Sequence, residues 1–211
     1  MIYFRMLLTA AVTLSFFAIG STLHSGTAAA KPQKWQLVWS DEFDYAGKPD
    51  PTKWIIETKD GQWGNGETQE YTDSISNSRV ENGNLVIEAR KEADGRMTSA
   101  RMHTAKPFKY GRFEARAKFP SGNGVWPAIW MMADKHIYGD ALWPDNGELD
   151  IVEHVGREPD QILGCVYTKN FNWMNGNGIT KFMNIPGTES QFHVYAVEWD
   201  AEWIKISVDG L

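Results

Sequence analysis

The sequence predicts an all-β fold of the sandwich or barrel type. Period-two alternation of apolar and polar residues recurs along the chain, whereas the periodicity of about 3.6 residues that marks amphipathic helices is scarce. Short clusters of Gly, Asn, Pro and Asp separate the alternating segments, as turns separate strands. Many short strands joined by turns are typical of sandwiches and barrels. No internal repeat or linker interrupts residues 31–211, so we expect one domain with one large core.

Residues 1–30 are typical of a secretory signal peptide. Arg5 supplies a positive charge, residues 7–19 form an apolar run with few polar interruptions, and Ala28, Ala29 and Ala30 satisfy the small-residue cleavage pattern. Because the apolar run is short for a membrane-spanning helix, removal of the segment is favoured over membrane anchoring. We therefore expect a secreted, extracellular protein whose domain begins near Lys31 and extends over residues 31–211.

Strands are predicted in order along this domain by alternation. Residues 84–90 alternate, and residues 112–119 place Phe113, Ala115, Ala117 and Phe119 on one face and four charged residues on the other. Residues 193–199 and 203–208 are predicted to form a hairpin whose turn is residues 200–202. Asp209 and Gly210 then form another turn signal, and Leu211 would begin a further strand. We therefore expect a fragment that is truncated at its C-terminus, with its final strands missing.

Charge and composition exclude several classes of protein. The chain has 21 basic and 27 acidic residues and a net charge of −6; because residues 1–30 hold one Arg and no acid, the remainder carries −7. This balance is unfavourable for binding nucleic acid or an anionic membrane, and we expect a monomer with neither partner. The single cysteine, Cys165, excludes an internal disulfide and is interpreted as a buried thiol.

Aromatic residues give the first indication of a ligand. The ten Trp, ten Phe and seven Tyr residues make up 13% of the chain. Aromatic rings stack on sugar rings, but they also fill the core of a β-sandwich, so composition alone leaves both uses open.

The acidic segment 147–156 carries the chemistry. If it is a strand, Glu148 and Asp150 share a face, whereas Glu153 would point to the opposite face. One extra residue in a β-bulge near residues 151–152 would return Glu153 to the face of the other two acids. The two glutamates would then approach the separation of roughly 5–5.5 Å that retaining glycosidases use. A solvated acidic face and a hard-cation site remain alternatives, but the apolar and aromatic surroundings favour a substrate cleft.

These residues resemble a known family. The segment Glu148 to Glu153 is similar to the E-x-D-x-x-E signature of glycoside hydrolase family 16, in its laminarinase-like branch. Further motifs resemble the family's successive strands and cleft loops, in the expected order from about Trp35 to the end of the chain. They are residues 39–43, 63–71, 80–85, 110–114 and 124–130.

The resemblance implies a fold, a reaction and a set of site residues. The fold is a β-jelly-roll sandwich of the concanavalin-like type, with the cleft on its concave face. Glu148 would be the nucleophile, Asp150 its assisting acid and Glu153 the general acid/base of a retaining endo-β-1,3-glucanase. Its substrate would be a laminarin-like β-glucan, and mixed 1,3-1,4-β-glucan is a second candidate. The expected substrate-binding residues are Asn65, Arg101, Trp126, Trp130 and His154. Two roles remain alternatives for Trp63, Trp143 and Trp173: packing in the core or rim, and stacking on a sugar.

The resemblance also bears on cofactors and on competing functions. No cofactor is required, although several members of the laminarinase-like branch carry a structural calcium on the convex face, and a full-length domain would have that option. Glu42 matches one calcium ligand, but another would come from the missing strand, so we expect no complete metal site.

A non-catalytic β-glucan-binding module on the same scaffold is one alternative function. The same chemistry on agarose or carrageenan is another.

Overall fold

The computed structural model describes residues 2–9 as backbone, and residues 35–58 and 63–211 in full. The predicted signal peptide overlaps the first strand, while its residues 10–30 and the expected cleavage point lie outside the described residues. The described chain forms sixteen strands and one short 3-10 helix, Trp173–Asn175. No helix in these ranges is long and apolar enough to cross a lipid bilayer. The prediction of an all-β fold is confirmed.

The strands follow one another along the chain with short connections. The first eight are β1 (Ile2–Thr9), β2 (Trp35–Asp41), β3 (Trp54–Glu57), β4 (Glu70–Tyr71), β5 (Ser78–Glu81), β6 (Asn84–Ile87), β7 (Arg90–Lys91) and β8 (Met97–Ser99). The other eight are β9 (Arg101–Thr104), β10 (Gly111–Ala117), β11 (Ala128–Met132), β12 (Glu148–His154), β13 (Gln161–Tyr167), β14 (Ile179–Asn184), β15 (His193–Trp199) and β16 (Ile204–Val208).

Two sheets form the two layers of the sandwich. The larger has the order β16-β15-β10-β1-β6-β5, with β2 also paired to β1. The smaller has the order β11-β12-β13-β14, and all of its neighbouring strands are antiparallel. Two further small sheets, β3-β9 and β4-β8-β7, complete the described strands. The strand that carries the three acids, β12, is thus central in the smaller sheet and is held on both sides.

The core lies between the two sheets and is built by alternation. In β10, Phe113, Ala115 and Ala117 are buried, and Phe119 continues the same row, as the sequence pattern predicts. From the opposite layer, Ile151 and Val152 of β12 join this core. Apolar residues at every second position of one strand thus meet the buried side chains of the facing sheet.

The predicted hairpin near the end of the chain is confirmed. β15 and β16 pair in an antiparallel register from Tyr195 opposite Val208 to Trp199 opposite Ile204. The turn extends to Trp203, because the Asp200 backbone N–H donates to the Trp203 carbonyl at 3.1 Å. The Asp200 side chain also accepts from the backbone N–H of Glu202 and Trp203, which closes the turn.

Candidate active site

A β-bulge in β12 brings the three acids to one face. Against β13, Asp150 pairs with Cys165 and Glu153 with Leu163, so three steps on β12 span two on its partner. Against β11, the register shifts at the same place. The extra residue leaves Ile151 and Val152 both in the core and returns Glu153 to the face of Asp150. The bulge predicted near residues 151–152 is therefore confirmed.

The central acid, Asp150, is the most strongly perturbed of the three. Its side chain is only 3% exposed, and burial raises its pKa to about 9, with the neighbouring Glu148 and Glu153 charges adding to the effect. At neutral pH this carboxyl therefore carries a proton, which it can donate to Glu148. The hydrogen bond lowers the pKa of Glu148, although burial keeps that pKa above its ordinary value.

The third acid, Glu153, has a defined hydrogen-bond partner. The Trp126 indole N–H donates to Glu153 Oε2 at 2.6 Å. Burial raises the pKa of Glu153, the bonds from Trp126 and from the Cys165 thiol lower it, and the Glu148 charge raises it further. The balance is a raised pKa, which favours the protonated form that a general acid needs.

A single arginine lies between two aromatic rings beside these acids. The Arg101 guanidinium lies 4.3 Å from the centre of the Trp63 ring and 4.6 Å from that of Trp130. Its Nε donates to Glu57 Oε2 at 2.6 Å, and its charge lowers the pKa of Glu148. Cation–π contacts and the ion pair therefore hold a positive charge beside the Glu148 carboxyl.

An aromatic group lies on the other side of Glu148. Trp143 and Trp173 stack with ring centres 5.8 Å apart and planes 25° apart, and Tyr167 meets Trp143 edge-on at 6.2 Å. Tyr167 lies opposite Glu148 in the β12–β13 register, and interaction with the Trp143 indole lowers the pKa of Glu148. With 61% of its surface exposed, Trp173 presents an open ring face. These contacts place Trp143 and Trp173 at the site.

Two expected substrate-binding residues are not brought to the acids by any described contact. His154 is fully buried: its ring stacks on Phe119 of the core, and its two nitrogens contact the Gln161 carbonyl and Glu189. Its expected place in the cleft is therefore wrong, because the residue that follows Glu153 in a strand points to the opposite face. Asn65 lies exposed in a turn with φ of 52°, and its sugar contact stays a prediction. The other three, Arg101, Trp126 and Trp130, all belong to the contacts described above.

Residues that sequence reasoning missed come from the neighbouring strand. Cys165, opposite Asp150, contacts both Glu153 and the Thr180 hydroxyl, the latter at 3.2 Å. Together with Tyr167, it enters the site through the pairing of β13 with β12. The alternation of β13 could have placed both residues on one face, but it does not reveal which strand lies beside them.

Glu42 is the residue on which the calcium expectation depends. Glu42, which matches a calcium ligand by resemblance, does not belong to any group of three or more potential side-chain ligands in these ranges. Since calcium also takes backbone oxygens, the expected absence of a complete calcium site stays a prediction.

Fold and site together define a class of protein. Two glutamates with raised pKa values flank a protonated aspartate on one face of a β-sandwich, beside exposed aromatic rings. This is the pairing of carboxyls by which glycoside hydrolases protonate a leaving group and attack a sugar.

Comparison with known proteins identifies the family. The profile of glycosyl hydrolases family 16 matches residues 65–211. A beta-glucanase from Rhodothermus marinus is 50% identical over 196 residues, covering 90% of this chain and 68% of the relative. A glucan endo-1,3-beta-glucosidase from Cryptopygus antarcticus is 37% identical over 184 residues, covering 83% of this chain and 67% of the relative. The X-ray structure of the laminarinase from Rhodothermus marinus superimposes with a TM-score of 0.81 at 52% identity, covering 83% of this chain and 72% of that one.

The chain belongs to glycosyl hydrolase family 16. The resemblance found in the sequence is thereby confirmed, as is the jelly-roll fold that it implied.

Proposed function

We propose that this enzyme is a secreted endo-β-1,3-glucanase that cleaves laminarin-like polymers with retention of configuration and also accepts mixed 1,3-1,4-β-glucan. The single observation that carries the proposal is the bulge in β12, which turns Glu148, Asp150 and Glu153 to one face. The names of the two relatives, a beta-glucanase and a glucan endo-1,3-beta-glucosidase, support the choice of polymer. The enzyme acts as a monomer on polysaccharide, without nucleic-acid or membrane partners.

Each acid has a separate role in the first half of the reaction. Glu153, whose protonated form is favoured because burial raises its pKa, donates its proton to the glycosidic oxygen as the bond breaks. Glu148 attacks the anomeric carbon and forms a covalent glycosyl-enzyme bond. Arg101 and the proton on Asp150 both favour the ionised form of Glu148 that this attack requires.

The second half uses the same residues in reverse. Glu153, now ionised, removes a proton from a water molecule, which attacks the anomeric carbon and releases Glu148. Two inversions at that carbon give net retention. Asp150 keeps its proton throughout and orients the Glu148 carboxyl by hydrogen bonding, so its role is to position the nucleophile.

A substrate panel tests the proposal. The purified chain is incubated with laminarin, lichenan, agarose and carrageenan, and new reducing ends are measured. We expect rapid release from laminarin, slower release from lichenan and none from the two galactans. Preference for agarose or carrageenan would overturn the assigned polymer.

A nucleophile variant separates catalysis from binding alone. Glu148→Gln should lower hydrolysis of laminarin by more than about 10⁴-fold, since the covalent step loses its nucleophile. The variant should still bind the polymer, as measured by affinity electrophoresis. The matched control Glu202→Gln changes an exposed turn residue and should keep full activity. Equal, negligible activity of both variants and the wild type, with binding retained, would indicate a non-catalytic glucan-binding module.

A further inference from the structure

Three potential metal ligands meet at the centre of the site. Asp150 and Glu153 of β12 and Cys165 of β13 each offer one ligand atom, and these atoms all lie within 4.8 Å of one another. All three residues are buried, and this is the only such group among the described residues. Asp150 and Cys165 are direct cross-strand partners, and the bulge adds Glu153 to the same face.

An independent observation is that one oxygen of this cluster has no hydrogen bond. Asp150 shares its proton with Glu148, but its Oδ2 atom is buried and has no partner among the described N–H and O–H groups. A buried carboxyl oxygen without a hydrogen bond is costly, and a cation that replaces the Asp150 proton would satisfy it. The side chain is 3% exposed, so bulk water does not supply the missing interaction.

The mixture of donor atoms selects the kind of cation. One sulfur and two carboxylate oxygens suit a borderline-soft ion such as Zn²⁺, whereas Ca²⁺ and Mg²⁺ require oxygen ligands alone. With Zn–S at about 2.3 Å and Zn–O at about 2.0–2.2 Å, tetrahedral ligand atoms stand roughly 3.3–3.8 Å apart. The three ligand atoms lie within 4.8 Å of one another, so the side chains would have to draw together around the ion. Three protein ligands would leave the fourth position to water.

The surroundings are arranged to support a bound ion. The Thr180 hydroxyl lies 3.2 Å from Cys165 Sγ and can donate to the thiolate that a metal would bind. The Trp126 indole occupies Glu153 Oε2, which leaves the other oxygen of that carboxyl for coordination. Burial raises the pKa of the Cys165 thiol to about 11 and that of Asp150 to about 9, so binding must displace a proton from each. A third proton leaves Glu153 when that acid is protonated.

We propose that Asp150, Glu153 and Cys165 bind Zn²⁺ or a similar thiophilic divalent cation, which blocks the acid/base carboxyl and reversibly inhibits the enzyme. The binding stands on the cluster itself, whereas the inhibition rests on the proposed function, in which Glu153 must exchange protons with substrate. A cation held by Glu153 prevents that exchange and occupies the space that the glycosidic oxygen needs. Removal of the cation restores the free carboxyls.

Cobalt spectroscopy tests the binding directly, without reference to activity. Co²⁺ is added to the purified, chelator-treated full chain, and the sulfur-to-cobalt charge-transfer band and the visible ligand-field bands are recorded. We expect a saturable charge-transfer band at one equivalent, with ligand-field intensity typical of four-coordination, and its displacement by Zn²⁺. Absence of the charge-transfer band would overturn the proposal.

Matched variants then locate the ligands. Cys165→Ser keeps a hydroxyl beside Thr180 but removes the sulfur, so the charge-transfer band should disappear. Its Zn²⁺ affinity should fall by at least about tenfold, since loss of even an outer-shell partner costs about 10- to 100-fold. The control His136→Gln removes an exposed imidazole and should leave the band and the affinity unchanged. If Cys165→Ser does not fold, Thr180→Val keeps the thiol and should still weaken binding.

Hydrolysis assays complete the test and keep the two proposals distinguishable. Zn²⁺ should inhibit laminarin hydrolysis by the wild type, and a chelator should restore it. Each variant is compared with its own zinc-free rate. Equal zinc sensitivity of wild type and Cys165→Ser would overturn the site. A cobalt band in a protein that hydrolyses none of the four polymers would uphold the metal site while the proposed function fails.

Discussion

At the scale of single residues, the three acids differ in where their protons reside. Burial raises the pKa of each, but Asp150 is also crowded by the charges of both glutamates. One proton therefore stays on Asp150 while Glu148, stabilised by Arg101, is the acid that ionises. Environment assigns separate roles to chemically similar carboxyls, as at other sites that use paired acids.

Removal of the proton donor should affect substrates according to their leaving groups. Glu153→Ala should lower laminarin hydrolysis by about 10²–10⁴-fold, because the departing sugar oxygen needs a proton. An aryl glucoside with an acidic phenol should still form the glycosyl-enzyme bond, since its leaving group needs no protonation. Steady-state rates on both substrates, with a burst of phenol for the aryl glucoside, measure the difference. Equal losses on both substrates would contradict the acid/base role.

Trp126 should set the alkaline limb of the pH profile. Glu148 must be ionised and Glu153 protonated, so kcat/KM rises through the pKa of Glu148 and falls through that of Glu153. The Trp126 N–H bond lowers the pKa of Glu153. Trp126→Phe should therefore raise that pKa and move the alkaline limb to higher pH, while the acidic limb stays in place. Trp173→Phe, whose ring contacts Trp143, is the control that should not move the alkaline limb. A downward shift in Trp126→Phe would refute the assignment.

Some site residues could be predicted from the sequence, whereas others could not, and the difference has a physical cause. The three acids lie within one strand, so their relative placement depends only on local alternation and one bulge. Cys165 and Tyr167 enter through pairing between separate strands, which local pattern does not specify. Position alone predicts His154 in the cleft, but alternation after Glu153 directs it to the core.

At the scale of the element, β12 combines two functions through its bulge. Ile151 and Val152 are both almost fully buried in the core, while the acids on either side point to the opposite face of the sheet, where the site lies. A regular strand would place either Glu153 or the other two acids among core residues. With the acids at this spacing, the bulge is what allows one strand to contribute to both the core and the site.

Deletion of Ile151 should lower stability but leave the three acids on one face. Without Ile151 the alternation becomes regular, and Glu148, Asp150 and Glu153 occupy every second position of the strand. Because a buried apolar side chain is lost from the core, the free energy of unfolding should fall by about 2–5 kcal/mol, whereas laminarin hydrolysis should persist in the folded variant. The control Ile151→Val should cost only about 0.5–1.5 kcal/mol and keep activity. Urea denaturation and laminarin assays measure both effects. A deletion variant of normal stability would contradict the place of Ile151 in the core.

The sequence predicts individual strands better than it predicts which strands pair with each other. The hairpin of β15 and β16 and the buried face of β10 follow from patterns within short segments. The pairing of β10 with β15 joins residues far apart in sequence, for example Arg112 and Glu198, which form an ion pair across the two strands. Such long-range pairings depend on the packing of the whole sandwich, so the order of strands was available only through the family resemblance.

At the scale of the whole molecule, the larger sheet contains a strand from the predicted signal peptide. β1 pairs with β10 from Ile2 opposite Ala117 to Leu7 opposite Arg112, and on its other side it pairs with β2 and β6. Cleavage near Lys31 would remove β1 and leave backbone donors and acceptors of β10 and β2 without partners. Export that removes residues 1–30 would therefore disrupt the larger sheet of this chain.

The chain that begins at Lys31 should be less stable than the whole chain. Loss of two ladders at about 0.5–1.5 kcal/mol per hydrogen bond should lower Tm by more than about 5 °C. Exposed strand edges should also promote self-association, seen by size-exclusion chromatography. A synthetic peptide of residues 1–10 should raise Tm by occupying the vacated position, whereas a scrambled peptide should not. Equal Tm values for the two chains would show that β1 contributes nothing to the stability of the sheet. N-terminal mass analysis of protein recovered from the culture medium, set beside laminarin assays of both chains, then tests which of the two forms performs the reaction.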